Sequence, residues 1–205
     1  MVPDIQLVTQ EFIQSVASEE DKLALGALVF QALPEMYEQV PMEHDALYRL
    51  LAEQIAEPMT ETSETWAIWE DGRPLGLLSI INAEDLKISQ RNGTMEIFRR
   101  LNKEGRQKFT AALDGYGKNI EPLAVPEGKY YSRLAVAQYA RGKGIARILM
   151  RHGLALYGNL LSSMHVADTN AVVTKLHKSL GFTFQSEEVI PIRVLLRHAN
   201  LLEQS

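Results

Sequence analysis

A chain of 205 residues, 46% hydrophobic and 23% charged, has the length of one full domain with a sizeable core and a composition that excludes disorder, collagen and fibrous architectures. It contains no cysteine, which removes disulfides, thiolate metal sites and a cysteine nucleophile, and its net charge of −5 disfavours a domain built to grip nucleic acid. The longest apolar stretch, Leu23 to Phe30, is far short of the roughly 20 residues a membrane span needs, and the first residues carry no secretory pattern, so a cytoplasmic chain without membrane contact is expected.

In chain order, Ile5 to Val8 predicts a short strand. Glu19 to Leu33 places Leu23, Ala27 and Phe30 at helical spacing before Pro34 stops the helix. Met42 to Ala56 carries Leu47, Leu50, Leu51 and Ile55 on one stripe between Pro41 and Pro58, a second helix. Thr65 to Glu70 and Pro74 to Ile81 read as two antiparallel strands joined at Asp71-Gly72, a hairpin turn signal.

Between Asn82 and Gly128 the texture changes. Met95 to Leu113 predicts a helix with Ile97, Phe98, Leu101, Phe109 and Leu113 as apolar positions and a break marked by Gly105. A turn-rich connector containing Gly115, Gly117, Pro122, Pro126 and Gly128 follows. The basic run Arg99, Arg100, Lys103, Arg106 and Lys108 reads as a solvated helix face. The last third alternates: strand Tyr130 to Val136, helix Gly144 to Tyr157, strand Leu160 to Val166, helix Asn170 to Leu180, then strands near Phe182 to Gln185 and Ile190 to Leu196. Short links between alternating elements suggest an α/β or α+β core with room for parallel pairing among the middle strands.

The informative stretch is Arg141-Gly142-Lys143-Gly144-Ile145-Ala146, between a predicted strand and a predicted helix. Gly142 and Gly144 allow a tight turn and close backbone approach, and the next helix offers unpaired N–H groups and the positive end of its dipole to a phosphate. A Walker loop would need Ser or Thr after its lysine, and a dinucleotide fingerprint would need a third small residue where Arg147 stands; neither pattern fits.

What fits is Arg141-x-x-Gly144-x-Ala146 after Leu134-Ala135-Val136, followed by Asn170, Leu176-His177 and Leu180-Gly181-Phe182. This pair of motifs, covering about Tyr130 to Phe182, resembles the GNAT superfamily of N-acetyltransferases, with its acyl-CoA loop and its Asn…Leu-Tyr-x-x-Leu-Gly-Phe pattern. The resemblance implies one domain over residues 1–205 with an insertion at about 82–128, on a mixed, mostly antiparallel sheet flanked by helices.

It implies a function too: transfer of an acetyl group from acetyl-CoA to a primary amine by direct attack in a ternary complex, with no acyl-enzyme and no metal. Leu134 and Val136 would offer backbone groups to the pantetheine arm, the backbone of Gly142, Lys143, Gly144, Ile145 and Ala146 would cradle the pyrophosphate with Arg141 on a phosphate, and Asn170 would lie beside the pantetheine. The N–H near Leu134 would face the carbonyl oxyanion.

For the proton that the departing thiolate takes, the family usually has tyrosine four residues before the glycine, and this chain has His177. Late in its helix, His177 is expected to have its cation favoured by the dipole. The plain alternative is a boundary histidine beside the stripe of Val172, Val173, Leu176 and Leu180.

Tyr130 occupies the strand position where some members place a base; with a phenol near pKa 10 it suits water or substrate orientation better, and packing is the plainer reading. Glu84 and Asp85, after the strand ending at Ile81, are second-rank candidates near where the resemblance implies carboxylates that draw in the amine, and solvated turn residues are the plainer reading. His44, His152, His165 and His198 show no metal-ligand spacing. The segment 82–128 is expected to shape the acceptor site or a dimer contact. The rival readings are a catalytically silent CoA-binding module and a protein-interaction module on the same fold.

Overall fold

The computed structural model of the chain describes residues 4–199. Seven strands, β1 (Ile5–Val8), β2 (Thr65–Glu70), β3 (Arg73–Asn82), β4 (Lys129–Val136), β5 (Ser162–Ala167), β6 (Thr183–Phe184) and β7 (Ile192–Arg197), form one sheet in the order β1-β2-β3-β4-β5-β7-β6. Neighbours pair antiparallel except β4 and β5, which run parallel. The expected mixed, mostly antiparallel sheet is the one that forms.

Helix α1 (Glu19–Ala32) begins with a capping box: Ser18 accepts from the Asp21 N–H, and the Asp21 carboxylate accepts from the Ser18 N–H. It ends where Pro34 opens the short helix α2 (Pro34–Tyr37). Helix α3 (His44–Glu53) buries Leu47, Leu50 and Leu51 against it. The two helices cross at Gly26, where a Cβ would stand 1.8 Å from the Tyr48 carbonyl oxygen. Only a residue without a side chain permits that approach.

The β2–β3 hairpin turns through Asp71 and Gly72, both at positive φ, as a two-residue primed turn requires. β3 is buried from Pro74 through Ile81, so helices cover both its faces. Its register with β4 shifts between Ser79 and Ile80: Arg133 lies opposite Ser79 and Tyr131 opposite Ile80, which leaves Ser132 as the extra residue of a bulge. The Ser132 hydroxyl donates to the Glu61 carbonyl and pins the bulge to the loop before β2.

The middle segment holds two helices, α4 (Leu86–Arg100) and α5 (Lys103–Gly117), where the spacing predicts one beginning near Met95. The break falls at Leu101 and Asn102 rather than at Gly105. The Asn102 side chain caps α5 by accepting from the Gly105 N–H, which places Gly105 inside the helix. Most of the basic run is paired: Arg99 with Glu96, Arg100 with Glu53 and Lys108 with Glu104, while Arg106 donates to the Phe98 carbonyl. After α5 the chain returns along β7, with the Glu121 N–H on the Ile192 carbonyl and the Ile192 N–H on the Asn119 carbonyl.

Helices α6 (Ile145–Tyr157) and α7 (Ala171–Lys178) complete the fold. α6 packs on the sheet through Gly153, whose hypothetical Cβ would lie 2.9 to 3.0 Å from Ile80, Tyr131 and Leu78. These three residues therefore share the α6 face. Among the described residues no helix is long and apolar enough to cross a membrane.

Candidate functional site

Parallel pairing of β4 with β5 is confined to two positions, Lys129↔Ser162 and Tyr130↔Ser163. Both strands continue, β4 to Val136 and β5 to Ala167, but they are out of register contact, so a wedge opens between them in the middle of the sheet. The Ser132 bulge sits where pairing stops and bends β4 away.

The direction of the free backbone groups follows from the register. The Ala137 N–H donates to the Leu75 carbonyl, and antiparallel pairs alternate between bonded and non-bonded. Ala135 and Arg133 therefore turn their N–H and C=O groups to β3, whereas Leu134 and Val136 turn theirs toward the wedge. Arg141 Nε lies 3.4 Å from the Val136 carbonyl oxygen, at the wedge's open end.

The glycine loop lies at the same end. Gly142 and Gly144 have φ of 80° and 79°, the left-handed region that glycine enters without strain. Gly144 caps α6 without a side-chain acceptor, and the first turn of α6 carries no acidic residue. The N–H groups of Ile145 and Ala146 thus lack intrahelical partners and stand at the positive end of a 13-residue helix. Arg141 through Gly144 are exposed, and Lys143 Nζ is 3.6 Å from the Glu70 carboxylate. Such an arrangement is suited to an anion.

Asn170 lies beyond the end of β5, where its Oδ1 accepts from the Val173 N–H and caps α7. His177 differs from its expectation. Its ring is 2% exposed, stands edge-on to Phe182, and has no hydrogen-bond partner at either nitrogen. Burial pushes its pKa down to about 4, and the nearby Val173 carbonyl, outside hydrogen-bond geometry, offsets this only in part. The dipole was expected to favour the cation; burial outweighs it. At neutral pH this imidazole carries no charge to give.

Tyr130, 4% exposed, is the last β4 residue in register with β5. Its hydroxyl reaches across to His165 Nδ1 at 2.7 Å, and His165 Nε2 lies 2.7 Å from the Glu121 carbonyl oxygen. Burial raises the Tyr130 pKa well above the ordinary phenol range, with Glu61 adding to the rise, and burial lowers that of His165. Glu84 is exposed, and Asp85 accepts from the Asn82 side chain; both sit beyond β3, at the closed end of the wedge.

Two groupings escape a reading by sequence spacing. Arg133, buried on β4, forks onto Glu61 with Nη2 at 2.9 Å and Nη1 at 3.2 Å, and Nη2 also donates to the Tyr37 hydroxyl at 3.1 Å. Burial works against its charge, but Glu61 and Tyr37 outweigh that and hold it cationic. A lone arginine inside an apolar strand pattern was the available signal. Glu121, 3% exposed, accepts from the Val194 N–H at 2.7 Å and from Gln185 at 3.1 Å; although burial opposes ionisation, these bonds keep its carboxyl below the usual range.

Residues 28–182 match the model of the Acetyltransferase (GNAT) family. Among solved structures, the chain is similar to an N-acetyltransferase from Staphylococcus aureus, at 19% identity and TM-score 0.63 over 88% of this chain and 97% of that one. It is similar to another protein described as an acetyltransferase, at 21% identity and TM-score 0.61 over 89% and 97%. It is also similar to the PaiA N-acetyltransferase of Thermoplasma acidophilum in complex with coenzyme A, at 12% identity and TM-score 0.51 over 97% and 99%. At these identities the likeness speaks to the fold. No curated protein matches.

Proposed function

Because the chain belongs to the GNAT acetyltransferase family, we propose that it transfers an acetyl group from acetyl-CoA to a primary amine by direct attack. One observation carries this reading: a wedge toward which Leu134 and Val136 turn their backbone groups opens onto a helix N-terminus that has no side-chain cap and no acidic residue in its first turn. A long polar arm ending in phosphates matches both halves of that surface.

In this reading the pyrophosphate takes the N–H groups of the 142–146 loop, with Arg141 at its rim. The pantetheine lies between the strands along Leu134 and Val136, beside Asn170. The Leu134 N–H faces the thioester oxygen, where a preorganised donor is worth about 3 kcal/mol in acyl transfer. Tyr130, at the wedge floor, orients the amine. The amine nitrogen bonds to the acyl carbon, the C–S bond breaks, and CoA leaves as a thiolate. A thiol of pKa about 8.5 is protonated by solvent at pH 7, so no cationic His177 is required.

Calorimetric titration with acetyl-CoA tests the site, and CoA release with a panel of amines tests the reaction. Binding with release supports the transferase. Binding without release on any amine supports a silent CoA-binding module, a reading favoured by the uncharged His177 at the position of the family's tyrosine. No binding overturns both.

A further inference from the structure

His165 has the geometry of a group that acts through Tyr130. The two side chains bridge β4 and β5 where the strands part: Tyr130 is the last residue in register, and His165 lies two residues past its partner Ser163, on the same sheet face. The Glu121 carbonyl can only accept, so the imidazole proton sits on Nε2 and Nδ1 is a lone pair. The Tyr130 hydroxyl must then donate to Nδ1.

We propose that His165 is a positioning residue for acyl transfer, fixing the hydroxyl proton of Tyr130 so that only the oxygen lone pairs of Tyr130 face the N–H of the acceptor amine. This rests on the transferase reading above. When the amine nitrogen bonds to the acyl carbon it becomes cationic and acidic. Its proton passes to Tyr130 Oη as the Tyr130 proton passes to His165 Nδ1, and the imidazolium returns that proton to solvent. The thiolate formed as the C–S bond breaks takes one proton from solvent, so protons and electron pairs balance.

Burial supports the pairing of roles. Tyr130 faces Glu61, Arg133 and Tyr116, and burial with the Glu61 charge disfavours a lone tyrosinate; His165 faces Glu121 and Glu61 and is a neutral acceptor at pH 7. A proton therefore leaves Tyr130 only as another arrives. No spacing rule marks His165, because its partner is 35 residues away on another strand.

The test is a double-mutant cycle on the full chain, with acetyl-CoA and three acceptors: a polyamine, an aminoglycoside and a lysine-containing peptide. Tyr130→Phe and His165→Ala each lower kcat on the order of 10²-fold while acetyl-CoA affinity holds, and the double variant is no worse than either. His165→Asn, whose amide oxygen can accept the Tyr130 bond, recovers part of the loss. Nitrogen-15 spectra of the imidazole show the Nε2–H form of His165, shifted in Tyr130→Phe. Additive losses, or full kcat in His165→Ala, overturn the role of His165 alone. If His165→Ala does not fold, full kcat in His165→Asn with an unbonded Nδ1 in the parent spectrum overturns it equally. No transfer by the unsubstituted chain to any of the three amines, with acetyl-CoA bound, overturns the transferase reading and this role with it.

Discussion

His177 and Phe182 meet edge to face, with ring centroids 5.6 Å apart and planes at 74°. The contact belongs to a run of aromatic packing in which Phe182 in turn meets Tyr131 at 6.2 Å. His177 thus occupies a core position, and its titration is coupled to folding. An unfolded histidine takes its proton as pH falls through about 6.5, whereas the buried one resists until about 4. Stability is full above the unfolded value and declines between these two, by about 3 kcal/mol in all. Thermal melts of the parent chain between pH 7.5 and pH 4.5 will show that decline, and His177→Phe will reduce it without loss of acyl transfer at pH 7.5, the remainder belonging to His165 and His152, whose pKa values burial also lowers.

Ala146 separates stability from binding. A carboxylate in the first turn of α6 complements the dipole and adds about 0.5 kcal/mol to the fold, yet it repels a pyrophosphate held by the same N–H groups. Ala146→Glu will melt no lower than the parent and bind acetyl-CoA more than tenfold more weakly by calorimetry. Equal affinity would place the phosphates elsewhere.

Arg133 and Glu61 form a buried ion pair, so removal of one partner strands the other. Glu61→Ala will cost about 3 kcal/mol in urea unfolding, and the pair Arg133→Met with Glu61→Leu will recover most of it. A cost under 1 kcal/mol for Glu61→Ala would mean that water reaches Arg133 freely.

Gly26 and Gly115 are opposite cases of helical glycine. A Cβ on Gly26 would lie 1.8 Å from the Tyr48 carbonyl oxygen, while one on Gly115 meets nothing within 4 Å. Gly26→Ala will force α1 and α3 apart at a cost of about 3 kcal/mol, and Gly115→Ala will stabilise the chain by up to about 1 kcal/mol. Chemical denaturation of both variants checks the sign as well as the size.

What the sequence made legible was local. Asp71-Gly72 announced its hairpin because a primed turn needs two positive φ values, and Gly142 and Gly144 announced the loop for a related reason. The α4 start at Leu86 was hidden, since Lys87, Gln90, Arg91 and Asn92 give a polar turn with no apolar stripe, and tertiary packing of Leu86 and Ser89 decides it. His165 and Glu121 were hidden more deeply: their meaning lies in strand register and in a connector laid along β7, neither of which is encoded by nearby spacing. His177 was found by motif with an acid role and a structural boundary position both open, because depth of burial, which favours the neutral imidazole, cannot be read from a helical position.

The bulge at Ser132 acts as a phase shifter within one strand. Without it, Tyr130 and Arg133, an odd number of positions apart, would project from opposite faces; with it, they oppose Ile81 and Ser79 on the same face. A phenol and a buried guanidinium thereby share one electrostatic environment, and the backbone of Leu134 still arrives at the wedge. Pairing Ser132 into the ladder, so that β4 ran without a bulge, would leave the composition untouched and send every side chain on one side of it to the opposite face.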